Sequence, residues 1–278
     1  MWNWDSRTHQ FIVEKALNKC RSSFKNLLET HSEIFILGIE APDRIFKDFT
    51  NHYYNCTPNH FGYHSGSIVN KIDREIKLID EMLKNPDKIV LHPKIAPFLK
   101  SLLDTPLKAF IFECGVVSHY IADLHQPMHT DGKYRFEDEE TVHQILEADT
   151  RKHLKDLTIT IHRRERIKNP LEFFMFQVYE INSYYDELIA KYYLKHGKVK
   201  SDRWNNSKPV IEKCLSAAVM NVANVFLSFE KATKIFKDQK KYAFLMQKVV
   251  SKTNYKKKYH IKKYKSGTVS IRAKRRVS

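Results

Sequence analysis

The chain has 278 residues, 42% of them hydrophobic, enough for one substantial core, and its seven glycines are too few for a fold made mostly of hairpins and tight turns. The formal charge of +16 suits a nucleic-acid or membrane-surface protein, but 14 basic and no acidic residues fall between 239 and 278, which leaves 34 Lys and Arg against 32 Asp and Glu in the first 238. The basicity belongs to the tail, and the near-neutral body argues against a nucleic-acid groove of its own.

At the N-terminus, MWNWDSRTHQFIVEKAL has no basic leader ahead of a clean apolar block, so no secretory signal is expected. No segment approaches the apolar length of a membrane span by this reading, and the expected location is cytoplasmic or peripheral at a membrane. Cys20, Cys56, Cys114 and Cys214 form no C-x-x-C pair and are expected as free, mostly buried thiols.

Helical periodicity first appears from Thr8 to Leu28, with His9 near its start. Residues Gly38 to Gly66 follow, rich in His, Tyr, Asn and Pro and without a steady period, and they are expected to form a long loop of the kind that carries function. This loop holds Asp43, His52, His60 and His64. Further helices are predicted over Ser67–Leu83, Pro106–Leu124, Glu139–Leu157 and Leu171–Leu194. The least ambiguous runs from Pro209 to Phe236, with Val210, Cys214, Ala218, Val222, Val225 and Phe229 on one stripe. The expected fold is all-α, a single multi-helix bundle over residues 1–238 followed by a basic tail over 239–278. That tail, ending KKKYHIKKYKSGTVSIRAKRRVS, is expected as a short strand pair or a disordered arm suited to anionic lipid or nucleic acid.

Within Pro106–Leu124, His119 and Asp123 are four residues apart and share a helix face. Gln126 and Pro127 end that helix, so His129 can swing back toward the same space. His143 and Glu147 repeat the four-residue spacing on the next helix. Together these residues aim five nitrogen and oxygen donors at one region, a set that suits zinc. A chain with 14 histidines also produces such pairs by chance, and taken alone Asp43 reads equally as a turn or cap residue.

The stretch His119–His129 has the form H-Y-x-x-D-x-x-Q-P-M-H, and in this it resembles the zinc-dependent phospholipase C family, whose fold is shared with zinc nucleases of single-stranded nucleic acid. Further matches are a histidine 14 residues on with a carboxylate four later (His143, Glu147), the T-H-x-x-I pattern at Thr8, His9 and Ile12, and the loop aspartate at Asp43. The resemblance spans about residues 4 to 235. For the loop histidine it admits His52, in His52-Tyr53-Tyr54-Asn55, with His60-Phe61 as the rival.

The resemblance implies two or three zinc ions. Asp43, His52, His119 and Asp123 would hold one, His129, His143 and Glu147 a second, and His9 with a bridging Asp123 a third. Family members complete the third site with an N-terminal tryptophan, and the matching Trp4 here follows Met1-Trp2-Asn3. The implied activity is phospholipase C action on phospholipid at a membrane surface, by attack of a zinc-bound water with Asp43 as general base. The short link between His129 and His143 favours the phospholipase branch over the nuclease branch. A zinc-binding protein with an incomplete third site and little catalysis is the other expectation.

Overall fold

The computed structural model describes residues 6–131, 138–196 and 198–236, together with the backbone of two strands at 259–263 and 269–273. Trp4, Gly132 and the rest of the basic tail lie outside the described residues. The chain divides into a helical unit ending at Ile235 and a second unit, Phe236–Ser278. In the second, Tyr259–Lys263 and Val269–Ala273 pair antiparallel, Ile261 opposite Ile271.

The helical unit is organised around one helix, here α6. In chain order the elements are α1 (Ser6–Leu17), α2 (Ser22–Thr30), α3 (Ser32–Ala41), α4 (Ile68–Lys84), the short α5 (Pro97–Lys100), α6 (Pro106–Leu124) and α7 (Glu139–Lys152). After these come α8 (Pro170–Asn182), α9 (Tyr185–Tyr192), α10 (Arg203–Phe229) and α11 (Ala232–Ile235). The start of α6 is set by Pro106 at the first helical position and by Thr105, whose hydroxyl accepts from the Lys108 N–H at 3.2 Å. Every residue from Ala109 to Leu124 is buried, as expected of a helix surrounded on all sides.

Helix α3 crosses α6 with almost no space between backbones. A Cβ placed on Gly38 would come within 2.0 Å of the Phe112 carbonyl oxygen, and one on Gly115 within 2.4 Å of that of Phe35. Only paired glycines permit this approach. Its effect is to bring the end of α3 and the residues after it against the last turns of α6.

Several boundaries differ from the sequence expectations. The first block divides into α1 and α2 because buried Glu230 accepts from the Arg21 backbone N–H at 2.8 Å, a contact from the far end of the chain that local periodicity cannot contain. The supposed loop begins as helix: α3 runs to Ala41 and continues as a π-helical turn, Pro42–Phe46, with a 3₁₀ turn at Phe49–Asn51. Helix α10 starts six residues before Pro209, which is tolerated inside it at an exposed position. The segment Arg203–Ile235 passes a length and composition test for a membrane span, but 67% of its apolar window is buried inside the protein, as in a core helix.

Candidate metal centre

The end of α6 supplies the centre of the site. Asp123, fully buried, lies 3.1 Å from His9 Nε2, 2.7 Å from His52 Nδ1 and 3.2 Å from His119 Nε2. The three histidines come from α1, from the loop after the 3₁₀ turn and from α6 itself. His9 and His119 stack with ring centroids 4.2 Å apart. Asp43, in the π-helical turn that extends α3, reaches His119 Nε2 at 3.4 Å and His52 Nδ1 at 3.8 Å. His119 is oriented from behind: its Nδ1–H donates to the Ile39 carbonyl at 2.8 Å, so Nε2 faces the carboxylates.

A second cluster lies beside the first. His129 closes the 3₁₀ turn Pro127–His129 and meets the His143 ring at 5.0 Å, while His143 Nε2 stands 3.0 Å from Glu147 Oε1 on α7. Gln126 shapes this corner, with its carbonyl accepting from the Met128 N–H and its amide reaching His143 Nε2. Ligand atoms of His9, His119 and Asp123, of Asp43, His52 and His119, and of His129, His143 and Glu147 each fall within 4.8 Å of one another. All eight residues singled out in the sequence are therefore brought together.

The rival histidine is not. His60 is exposed at a loop tip against Phe61, and His64, also exposed, bonds the Asn55 carbonyl and stacks on Tyr54, whereas His52 is buried in the cluster. His125, the middle histidine of the motif, is a core residue: Nδ1–H donates to the Ile121 carbonyl at 2.7 Å and Nε2 accepts from the Asn221 amide at 2.9 Å.

The two clusters hold protons differently. Burial opposes charge on His119, but Asp43 and Asp123 outweigh it and lift its pKa to about 10. His52 is likewise raised against burial, by Asp123 and Asp48. Burial alone would raise Asp43 and Asp123, yet His119 beside them holds both below the usual carboxylate range. In the second cluster burial dominates and pushes His129 down to about 3 and His143 to about 4, leaving neutral imidazoles.

These donors fit zinc. Imidazole and carboxylate are its ordinary nitrogen and oxygen ligands, and neither ring nitrogen of buried His129 has a hydrogen-bond partner among the described residues, a costly arrangement unless a cation takes that place. The histidines are the more deeply buried donors, while the side chains of Asp43 (20% exposed) and Glu147 (11%) keep the most contact with solvent.

Sequence reasoning passed over Asp48, whose Oδ1 lies 3.5 Å from His52 Nε2, and gave no role to Tyr120, whose hydroxyl donates to both Asp48 oxygens at 2.9 and 3.0 Å. The four-residue spacing of Asp48 and His52 was the available signal.

A family model described as zinc dependent phospholipase C matches residues 8–207. No curated protein matches the chain. Among solved structures, the alpha-toxin of Clostridium perfringens from an avian strain is similar at a TM-score of 0.53 and 12% identity, over 98% of this chain and 79% of that one, a likeness of fold alone.

Proposed function

Because the chain belongs to the zinc-dependent phospholipase C family, we propose that it hydrolyses the phosphodiester of a phospholipid to diacylglycerol and a phosphorylated headgroup. The observation that carries this reading is the convergence on Asp123 of His9, His52 and His119, with His129, His143 and Glu147 alongside. Asp43, His52, His119 and Asp123 would hold one zinc, His129, His143 and Glu147 a second, and His9 with Asp123 would contribute to a third. Bound there, zinc supplies Lewis-acid polarisation of the phosphoryl group and lowers the pKa of water. Asp43, kept ionised beside His119 and with its side chain 20% exposed, would accept the proton of the attacking water.

A lipid surface as the source of substrate is supported by the loop that leaves His52. Its base is tied to the metal corner, with the Tyr54 N–H donating to the His129 carbonyl and the Cys56 N–H to that of Thr130, both at 2.9 Å. Its stem closes between Asn55 and Ser65. At the tip Asn59 Oδ1 accepts from the Phe61 and Tyr63 N–H groups at 3.0 Å, and Gly62 takes a φ of 83°. The rings of Phe61 and Tyr63 stand 71% and 72% exposed, an ordered aromatic pair suited to the headgroup region of a bilayer.

The test measures zinc per chain and then assays a phosphatidylcholine analogue and single-stranded DNA side by side, for the wild type and Asp123→Ala. Two or three zincs with lipid hydrolysis abolished by the substitution are expected. DNA cleavage alone would overturn the substrate, and fewer than two zincs the metal assignment.

A further inference from the structure

The motif histidine at 119 is followed by a tyrosine that the metal centre does not use. Tyr120 is fully buried, and its ring lies 5.4 Å from His52 and 5.5 Å from His119. Its hydroxyl donates to both oxygens of Asp48. Asp48 is itself buried and receives the Asn51 amide on Oδ2 at 2.8 Å, with Lys94 Nζ at 3.4 Å and Lys71 Nζ at 3.8 Å. Those contacts fix the carboxylate in place. Oδ1, shared with the Tyr120 hydroxyl, faces His52 Nε2 across 3.5 Å, an ion-pair contact longer than a well-formed hydrogen bond, and that buried nitrogen has no hydrogen-bond partner among the described residues.

We propose that Asp48, clamped by Tyr120, is a positioning residue for His52. The carboxylate holds the Nε2–H tautomer and the ring angle, so that Nδ1 presents its lone pair beside Asp43 and Asp123. The arrangement parallels the one at His119, where the Ile39 carbonyl accepts from the nitrogen facing away from the site. The two histidines thus enter by opposite nitrogens, Nδ1 for His52 and Nε2 for His119, each steered by an acceptor behind it. Asp48 touches neither substrate nor reacting atoms, and its effect on catalysis passes through His52. This inference rests on the metal reading above.

The experiment is a double-substitution cycle on the full chain, read as zinc affinity by chelator competition and as the visible absorption of the cobalt-loaded protein. Asp48→Asn is expected to weaken zinc by about ten- to hundredfold and to shift the cobalt bands, and the same substitution in a His52→Ala background is expected to add nothing further. Tyr120→Phe, which removes one hydroxyl and keeps the ring, is expected to weaken zinc in the same direction by a smaller factor, and it carries the test if Asp48→Asn does not fold. Wild-type affinity and an unchanged cobalt spectrum in these variants would overturn the inference while leaving the metal centre standing. Equal losses with and without His52 would also overturn it, since they mark Asp48 as merely structural. A wild-type protein that takes up no zinc overturns both readings.

Discussion

The Nδ1–H of His119 donates to the main-chain carbonyl of Ile39 over 2.8 Å, and this bond decides which ring nitrogen enters the metal centre. Nε2 then sits among carboxylates that lift the imidazole's pKa to about 10, so in the metal-free protein His119 carries a proton that zinc must displace. His129 and His143, pushed down to about 3 and 4 by burial, are already neutral at pH 7 and have no such proton to lose. Zinc uptake at pH 7 is therefore expected to release protons from the cluster around Asp123, and affinity there is expected to rise with pH toward about 10. Calorimetric titrations in buffers of differing ionisation enthalpy measure the release directly; an uptake heat independent of buffer would contradict it.

The Gly38–Gly115 crossing makes that bond possible, because Ile39 follows Gly38 directly and Asp43 lies just beyond the end of the same helix. A methyl group at residue 115 would need the Phe35 carbonyl, the Ile39 amide and the Gly38 backbone to move together. Gly115→Ala is expected to cost about 1–3 kcal/mol of stability, as other overpacked interiors do, and to weaken zinc retention by displacing the Ile39 carbonyl from His119. Thermal melts with and without chelator separate the two effects. A melting temperature equal to wild type in both conditions would rule out the tight crossing.

Substitution of the two loop histidines should give opposite results. His52→Ala is expected to lower zinc per chain and to reduce hydrolysis by about a hundredfold or more, whereas His60→Ala leaves zinc content at the wild-type level. Metal analysis of the purified variants decides between them. This pair also marks the limit of what was legible in the sequence. His119, Asp123, His143 and Glu147 were legible because a helix converts a four-residue spacing into a shared face. The ends of α6 were legible too, since Pro106 starts it and the Gln126–Pro127 turn stops it. His52 against His60 was not, because distance along a loop has no fixed conversion into space; what separates them is the pairing of Tyr54 and Cys56 with His129 and Thr130, which ties down the loop base and sends its tip to solvent. Helix α3 was hidden for a related reason. Its glycine looks like a loop signal and is in fact a contact surface, visible only with Gly115 opposite it.

His125 gives the stability of the protein a direction in pH. Burial lowers its pKa to about 4, while the unfolded chain titrates near the ordinary value of 6.5. Between those values the unfolded state binds the extra proton, so stability is lost as pH falls from about 6.5 toward 4, by on the order of 1.4 kcal/mol per pH unit, and levels off below. His125→Gln keeps a polar side chain for Asn221 but removes one of these titrations, and is expected to make the acid limb shallower by about one proton, with buried His129 and His143 supplying the rest. The comparison is made by denaturant unfolding of chelator-treated wild type and variant at pH 7.5, 6, 5 and 4.5; parallel profiles would show that His125 does not govern it.

Phe61 and Tyr63 carry a prediction that separates interfacial binding from chemistry. The hairpin tip is held by its own Asn59 cap and lies outside the cluster of histidines, so replacing both rings with serine leaves the hydrogen bonds at the base of the loop intact. If the rings enter the headgroup region, their loss removes apolar contact with the bilayer but no group that touches the phosphodiester. Phe61→Ser with Tyr63→Ser is expected to reduce hydrolysis of phosphatidylcholine vesicles by roughly tenfold or more, on the scale of about 1.5–3 kcal/mol for one buried large apolar side chain. Hydrolysis of a monomeric short-chain phosphatidylcholine, with zinc content as a control, is expected to stay at the wild-type rate. A loss equal on both substrates would place the two rings in the reaction site, and equal activity on vesicles would remove them from membrane contact altogether.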